Sequence, residues 1–261
     1  MEDTNKSIFQ FDVDNYNESV GTLNQEDSIN CSICKNKGKI AFLDGKYMKI
    51  KDCECMKKRI LYKRFMETGV SKEQFKNYQL NTYTTDLEWQ QDLMNKVKEY
   101  IYDILNNNKK NWFYIGGISG SGKTHLCTGI FSKLIQYGYD GRYMVWNSEV
   151  PELISMKQSF YTDVQDKFRA KKKELINCDI LYIDDFLQAD NTSKDIMSMA
   201  YDIINARYSD PNKITIISSE VLREELQKKT NAITGRIFER TDSGKYFINI
   251  TGLEKNYRLR K

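Results

Sequence analysis

The stretch WFYIGGISGSGKT, residues 112–124, decides the fold of this chain. Its first four residues are apolar, which predicts a short buried strand, and a helical pattern begins at His125. Between them, residues 117–124 follow the spacing G-x-x-x-x-G-K-T of a phosphate-binding loop. Glycines at these positions let main-chain N–H groups and the positive end of a helix approach phosphate oxygens. The sequence therefore predicts a nucleoside triphosphate site in this loop.

The expected ligands of the loop are ATP and Mg²⁺. Lys123 is expected to reach the β- and γ-phosphates, and the Thr124 hydroxyl is expected to bind the magnesium ion. His125, the only histidine of the chain, fits a packing or surface role better than a catalytic one. The predicted nucleotide-binding residues are Gly117, Ile118, Ser119, Gly120, Ser121, Gly122, Lys123, Thr124 and His125.

The residues around the loop alternate between short apolar runs and helical patterns. Helical patterns cover residues 87–105, 125–136 and 194–208. Such alternation is typical of a parallel sheet with helices on both faces. The predicted strands are residues 112–115, 142–146, 180–183, 214–217 and 246–250. The sequence therefore predicts an α/β fold with a five-stranded parallel sheet flanked by helices.

Carboxylates and hydroxyls follow two of these strands. The segment ILYIDDF, residues 180–186, places Asp184 and Asp185 after a buried strand. Asp184 is expected to hold magnesium through water, and Asp185 is expected to orient the water that attacks the γ-phosphate. The strand ITII is followed by Ser218 and Ser219, either of which can sense the γ-phosphate if the two strands are neighbours. We place Ser219 among the predicted catalytic residues.

The cysteines form two close pairs. Cys31 and Cys34 are followed, after eighteen residues, by Cys53 and Cys55, and the intervening apolar residues surround a Leu-Asp-Gly turn. This spacing is typical of a zinc knuckle joined to a short β-hairpin, and an iron–sulfur cluster is the alternative. Four thiolates leave no open coordination position, so the metal is expected to fold a small module. The other two cysteines are predicted to be buried apolar residues.

Charge and composition help to predict how the chain divides into segments and domains. The net charge is +4 over 261 residues, but residues 35–64 carry eleven basic side chains and three acidic ones. The chain has no apolar run long enough for a membrane span and no signal-like start, so we expect a cytoplasmic protein without a membrane partner. We predict an acidic, flexible segment over residues 1–28, a zinc module over 29–68, a linker over 69–86 and an ATPase domain over 87–261.

With these motifs in place, the chain resembles the DnaC/DnaI family of AAA+ helicase loaders, especially the phage-borne versions. It is more distantly similar to the IstB transposition ATPases. The resemblance covers the cysteine module, the linker GVSKEQFKNYQLNTY, the loop GISGSGKTHL and the strand ends IDD and SSE. It also covers the boxes RIFER, residues 236–240, and NYRLR, residues 256–260.

The resemblance implies an AAA+ P-loop NTPase whose front module grips a hexameric, DnaB-type replicative helicase. The AAA+ part is implied to bind single-stranded DNA and to assemble into a spiral or ring. Arg240, with Arg236 as its neighbour, is similar to the finger that reaches a neighbouring subunit's ATP in trans. Arg258 is similar to the sensor arginine that acts on the γ-phosphate within one subunit. Only about forty residues follow the sensor strand, so the lid is expected to be small or absent.

Two residues depart from the family pattern. Asp185 stands where many AAA+ ATPases have a glutamate, and Glu220 stands where an asparagine is common. The shorter side chain at position 185 favours slow, switch-like hydrolysis of ATP to ADP and phosphate.

DNA contacts are predicted between the second and third strands. This family carries channel-facing helices there, and the segment is rich in lysine. Aromatic side chains beside it can stack on bases. A solvated helix face is the alternative interpretation. The predicted DNA-binding residues are Phe160, Tyr161, Lys167, Arg169, Lys171, Lys172 and Lys173.

Three functions remain open from the sequence. The first is a helicase loader that acts in replication initiation in a bacterial cell, encoded by the host or by a phage. The second is an IstB-like transposition helper, which would be expected to lack the cysteine module. The third is a nucleotide-binding adaptor with negligible hydrolysis.

Overall fold

The computed structural model describes residues 8–188 and 193–259. The chain divides into two compact units between Met66 and Glu67. No helix within the described residues is long and apolar enough to cross a membrane.

Over its described residues, 8–66, the first unit contains three helices and one β-hairpin. Strands β1 and β2 pair antiparallel, from Lys39 opposite Asp52 to Asp44 opposite Tyr47, and Gly45 in the turn has a φ of 64°. This hairpin confirms the one predicted between the cysteine pairs. The elements are α1 (Ile8–Glu18), α2 (Leu23–Asp27), β1 (Lys39–Asp44), β2 (Tyr47–Asp52) and α3 (Cys55–Met66).

The first described residues differ from the flexible segment predicted over residues 1–28. They form α1 and α2, and Val13 of α1 is buried. The Asn17 side chain donates to the Ala41 carbonyl at 3.0 Å and accepts from the Ala41 N–H at 2.9 Å. A strand edge with open N–H and C=O groups needs such a cover, and α1 supplies it from a distant part of the sequence.

The second unit is an α/β domain. Its strands are β3 (Phe113–Gly117), β4 (Gly141–Val145), β5 (Ile180–Asp184), β6 (Ile214–Ser219) and β7 (Phe247–Ile250). Its helices are α4 (Lys72–Asn77), α5 (Glu88–Asn106), α6 (Lys123–Gln136), α7 (Trp146–Lys157), α8 (Thr162–Asn177), α9 (Lys194–Tyr208), α10 (Arg223–Lys229) and α11 (Asn231–Arg240). Single 3-10 turns are η1 (Leu80–Thr82), η2 (Leu253–Lys255) and η3 (Tyr257–Leu259).

The five strands form one parallel sheet in the order β4-β5-β6-β3-β7. Every residue of β3, β5 and β6 is buried, as expected of central strands covered on both faces. The predicted five-stranded parallel sheet flanked by helices is confirmed. The described residues after β7 contain two 3-10 turns, and the size of the lid stays a prediction.

Two arginines hold the amino ends of the strands together. Arg207 is fully buried and donates to carbonyl groups just before β5 and at the start of β6. Arg240 donates to the carbonyls of Lys110 and Lys213, which precede β3 and β6. Both arginines therefore lie at the amino end of the sheet. The phosphate loop begins at the other end, where the strands have their carboxyl ends.

Candidate nucleotide site and cysteine cluster

The phosphate loop connects β3 to α6, as its spacing predicts. A side-chain carbon added at Gly117, whose φ is 135°, would lie 2.0 Å from the Ile250 carbonyl oxygen, so only glycine allows β7 to pass here. Gly122 precedes α6 with a φ of 86°. Lys123 is buried, and its ammonium donates to the carbonyls of Gly117 at 2.8 Å and Ile118 at 2.7 Å. The Lys123 side chain thus lies against the main chain of the phosphate loop to which it belongs.

Asp184 and Thr124 meet at the carboxyl edge of the sheet. The Thr124 hydroxyl donates to Asp184 Oδ1 at 3.2 Å, and the Tyr143 hydroxyl donates to Oδ2 at 3.3 Å. Ser218, on the neighbouring strand β6, also donates to this buried carboxylate. One hydroxyl and one carboxylate beside a phosphate loop fit a magnesium ion, which would neutralise the phosphate charge when bound.

Asp185 follows in an unusual backbone conformation. Its φ of 57° lies in the left-handed region, and its side chain is half-buried. Burial raises the pKa of Asp185, and the negative charges of Asp184 and Glu220 raise it further. Burial lowers the pKa of Lys123, while Glu220, Asp185 and Asp184 oppose that shift. Three carboxylates therefore act electrostatically on the loop lysine.

Lys123, Asp185 and Glu220 line one cavity of about 420 Å³ in the second unit. It is lined by residues 119–125 of the loop and by Asp185, Glu220 and Arg258. Aromatic side chains of the segment before α5 complete the wall, among them Tyr78 and Tyr83. The cavity is thus large enough for a ligand and carries the charges that a nucleotide phosphate site requires.

His125 connects this site to the segment that precedes α5. Its Nε2 lies 2.8 Å from the Gln79 carbonyl oxygen and 3.2 Å from the Thr82 hydroxyl. The ring stacks on Tyr78 with centroids 5.2 Å apart and meets Tyr83 edge-on at 5.3 Å. Burial lowers the pKa of His125. Sequence reasoning assigned packing to this residue but did not identify its partners, because they lie more than forty residues away.

The final described residues return to the phosphate loop. The Tyr257 N–H donates to the Gly120 carbonyl at 2.9 Å, and Arg258 lines the cavity. Arg258 therefore lies at the site, and its role as a sensor of the γ-phosphate stays a prediction. Arg260, the second arginine of the NYRLR box, lies outside the described residues.

The two serines at the end of β6 have different partners. The Ser218 hydroxyl binds Asp184, whereas the Ser219 hydroxyl donates to the Phe186 carbonyl at 2.6 Å and accepts from the Val221 N–H at 3.0 Å. Ser219, the serine predicted to be catalytic, is turned to the main chain. Strand alternation puts consecutive side chains on opposite faces, so only one of the two can meet Asp184.

Arg236 and Arg240 lie away from this cavity. The Arg240 guanidinium donates to main-chain carbonyls and lies 5.1 Å from the Trp112 ring centroid. Arg236 donates to Asn205 Oδ1 at 3.0 Å and lies over the Tyr201 ring at 5.1 Å. The carbonyl partners of Arg240 belong to Tyr208, Asp210, Lys110, Pro211 and Lys213. Action on a neighbouring subunit's ATP stays a prediction, and Arg240 would have to leave these carbonyls to perform it.

The predicted DNA-binding residues lie on and just before α8. Phe160 is fully exposed and Tyr161 is 72% exposed. Arg169 pairs with Asp166, and Lys172 pairs with Asp202 at 2.7 Å. The remaining lysines of the set, Lys167, Lys171 and Lys173, are exposed. The segment thus offers aromatic and cationic groups to solvent, and DNA binding there stays a prediction.

The four predicted metal ligands converge in the first unit. The sulfur atoms of Cys31, Cys34, Cys53 and Cys55 all lie within 4.8 Å of one another. Cys31 and Cys53 are 3.8 Å apart, and Cys34 and Cys55 are 3.5 Å apart. Zinc–sulfur bonds of about 2.3 Å in a tetrahedron give sulfur–sulfur distances of about 3.8 Å. The cluster therefore fits a structural zinc ion.

Groups around the cluster support such an ion. The Gly38 N–H donates to the Cys34 sulfur at 3.3 Å. Arg59 is buried, forms a side-chain hydrogen bond with Cys55, pairs with Asp27 and donates to the Ile29 carbonyl at 2.7 Å. A buried N–H donor and a buried cation both stabilise the negative charge that four thiolates bring to a zinc site. The remaining cysteines, Cys127 and Cys178, are buried in the second unit, as predicted.

Comparison with known proteins shows which family the chain belongs to. Residues 89–242 match the bacterial DnaA ATPase domain. The chain is 26% identical, over 240 residues, to the phage-like element PBSX protein XkdC of Bacillus subtilis (strain 168), with 88% of this chain and 86% of XkdC covered.

Two solved structures share the fold. The crystal structure of DnaI has a TM-score of 0.54 at 19% identity and covers 71% of this chain and 94% of that one. The crystal structure of the DnaC helicase loader has a TM-score of 0.51 at 19% identity and covers 69% of this chain and all of that one. The AAA+ fold implied by the resemblance is confirmed. The chain belongs to the family of the bacterial DnaA ATPase domain and is an AAA+ ATPase.

Proposed function

We propose that this protein is an ATP-dependent loader that places a hexameric, DnaB-type replicative helicase on single-stranded DNA during replication initiation. The observation that carries the proposal is the contact between the phosphate loop and the segment leading to the cysteine unit. His125 directly follows the magnesium ligand Thr124 and binds Gln79 and Thr82 of that segment. A change at the nucleotide can therefore act on the segment that joins the ATPase to the cysteine module.

The proposed nucleotide chemistry uses groups that line the cavity together with the buried Asp184. Lys123 exchanges its carbonyl partners for the β- and γ-phosphates, and Thr124 with Asp184 holds the magnesium ion of ATP. Arg258 approaches the γ-phosphate from the same subunit. Three carboxylates and a short Asp185 favour slow hydrolysis that acts as a switch. Arg240 and Arg236 serve in trans only if subunits stack into a spiral or ring.

The proposed helicase contact lies in the zinc module, residues 29–68. Structural zinc supplies the folding energy of small modules, so the surface depends on the metal. The similarity to XkdC of a phage-like element supports a phage-borne version of the loader that acts in the bacterial cytoplasm.

Helicase binding is tested directly by a size-resolved pull-down. The purified protein is mixed with a bacterial DnaB-type hexamer in ATP or ADP, beside a variant carrying Cys31→Ser and Cys34→Ser. We expect a complex with the wild-type chain and its loss in the variant. A matched Ser32→Ala variant, exposed between the same cysteines, should bind normally. Absence of a complex under every nucleotide condition contradicts the proposal.

DNA binding by α8 is tested by replacing Lys171, Lys172 and Lys173 with alanine. For single strands, each phosphate-neutralising lysine that is removed reduces the slope of log K against log salt by about 0.7. We expect weaker binding of a fluorescent oligonucleotide and a flatter salt dependence, measured by anisotropy.

The control replaces three exposed lysines of other helices, Lys76, Lys194 and Lys228, and keeps the net charge of the test variant. Equal binding by the two triple variants would show that the effect comes from net charge alone and would remove α8 from the proposal.

A transposition helper and a non-hydrolysing adaptor are the alternatives. The cysteine cluster favours the loader over the first, because four converging cysteines lie in a unit that precedes the ATPase unit. Steady-state ATP turnover with and without single-stranded DNA separates the loader from the adaptor. Stimulation supports the loader, whereas no turnover in either condition supports the adaptor.

A further inference from the structure

Glu220 lines the nucleotide cavity from a main-chain position that hydrogen bonds hold on both sides. It follows β6 directly, and hydrogen bonds hold the residues before and after it, Ser219 and Val221. Ser219 binds the Phe186 carbonyl and the Val221 N–H, while the Val221 carbonyl accepts from the buried Tyr114 hydroxyl at 2.7 Å. The backbone on either side of Glu220 is therefore held by buried hydrogen bonds.

The sheet register places this residue beside the start of the phosphate loop. Ser219 pairs with Gly116 of β3. The next residue on each side is Glu220 after β6 and Gly117 at the start of the loop, so these two residues lie at the same level of the sheet. A side-chain carbon added at Gly116 would lie 2.3 Å from the Val221 carbonyl oxygen. The glycine thus lets the chain after β6 pass directly against the loop entrance.

The Glu220 side chain is open to the cavity. It is exposed, lines the cavity with Lys123 and Asp185, and its carboxylate has no hydrogen-bond or ion-pair partner among the described residues. Of the three carboxylates that oppose the burial-induced lowering of the pKa of Lys123, Glu220 has the largest effect. A carboxylate that lines the cavity and has no competing partner is available to accept a proton there.

Asp185 is less suited to that task. Its side chain is one methylene shorter, and its backbone is held in the left-handed region. It is also half-buried, whereas Glu220 is exposed to the water that must enter. Asp184 is already bound by Thr124 and Ser218.

We propose that Glu220 is the general base of ATP hydrolysis and that Ser219 is the residue that positions it. A water oxygen attacks the γ-phosphorus, and the bond between this phosphorus and the oxygen bridging to the β-phosphate breaks. The electron pair of that bond stays on ADP, and the water proton passes to the Glu220 carboxylate. Glu220 later releases the proton to solvent with inorganic phosphate. This inference rests on ATP hydrolysis at the loop, which is part of the proposed function.

The test compares Glu220→Gln with Asp185→Asn in single-turnover hydrolysis of ATP. Loss of a general base costs on the order of 100-fold or more in rate. We expect Glu220→Gln to lower the hydrolysis rate by about 100-fold, with the Kd for a non-hydrolysable ATP analogue within threefold of wild type. Asp185→Asn should lower the rate by less than about tenfold. Glu224→Gln, an exposed substitution of the same type on α10, is the matched control.

Ser219→Ala tests the positioning role. It keeps the carboxylate but removes the two hydrogen bonds before it, so kcat should fall while KM stays near wild type. A Glu220→Gln rate within threefold of wild type overturns the inference and leaves the loader proposal intact. A wild-type chain that binds ATP but never hydrolyses it contradicts the ATPase part of the proposed function instead.

Discussion

Lys123→Ala should lower ATP hydrolysis by on the order of 1000-fold, because the site then lacks the cation that balances the γ-phosphate. The negative charges of Asp184, Asp185 and Glu220 act on this position, so loss of the lysine would leave them unbalanced against a triphosphate. Binding should therefore weaken together with turnover. Isothermal titration with an ATP analogue and a phosphate-release assay measure the two effects.

The control for this variant is Lys133→Ala, in the last turn of the same helix. It makes the same chemical change at a residue that does not line the nucleotide cavity. ATP binding and turnover should therefore stay near wild type. Thermal unfolding should show that the Lys123 variant remains folded, since the substitution removes a buried charge that burial penalises. Near-normal turnover by a folded Lys123→Ala protein would contradict the assigned nucleotide site.

Removing the metal should unfold the cysteine unit and leave the ATPase unit folded. Structural zinc contributes about 10–16 kcal/mol of apparent binding free energy in zinc-finger peptides, more than a unit of this size gains from its own core. Cys53→Ser removes one of four ligands and should have the same effect as a zinc-selective chelator. Hydrogen exchange should rise in β1 and β2 and stay slow in β5 and β6.

Zinc added back after chelation should restore protection in the hairpin, and metal analysis should give one zinc ion per chain. The Ser32→Ala variant serves again as the neighbouring control. A hairpin that stays protected after complete metal removal would show that the unit folds without the ion. Iron in place of zinc would favour the cluster alternative left open by the cysteine spacing.

The elements that sequence predicted best are those specified by local pattern. The loop residues 117–124 are contiguous, so the strand before them and α6 after them follow directly. The cysteine pairs and their hairpin are likewise specified by spacing within one short segment. In both cases the physics requires residues at fixed offsets, and a single sequence displays those offsets.

Interactions between distant segments were not predictable in this way. Nothing near Asn17 indicates that its side chain covers Ala41, and nothing near Tyr78 indicates its stacking on His125. The choice between Ser218 and Ser219 depended on the register of β6 against its neighbours. The partners of Arg240 were equally unpredictable. The RIFER motif indicates a role for this arginine, but the carbonyls that its guanidinium binds belong to distant segments.

The strand order has a consequence for how the chain folds during synthesis. Strand β3 pairs only with β6 and β7, and the Trp112 side chain beside it binds the Lys213 carbonyl, 101 residues further along. A ribosome adds about 5–20 residues per second, so this apolar strand stays unpaired for about 5–20 s before its first neighbour exists. Strands that wait with open edges are prone to association with other chains. Slower translation or lower temperature alone will therefore not protect the nascent chain as well as a chaperone that covers β3.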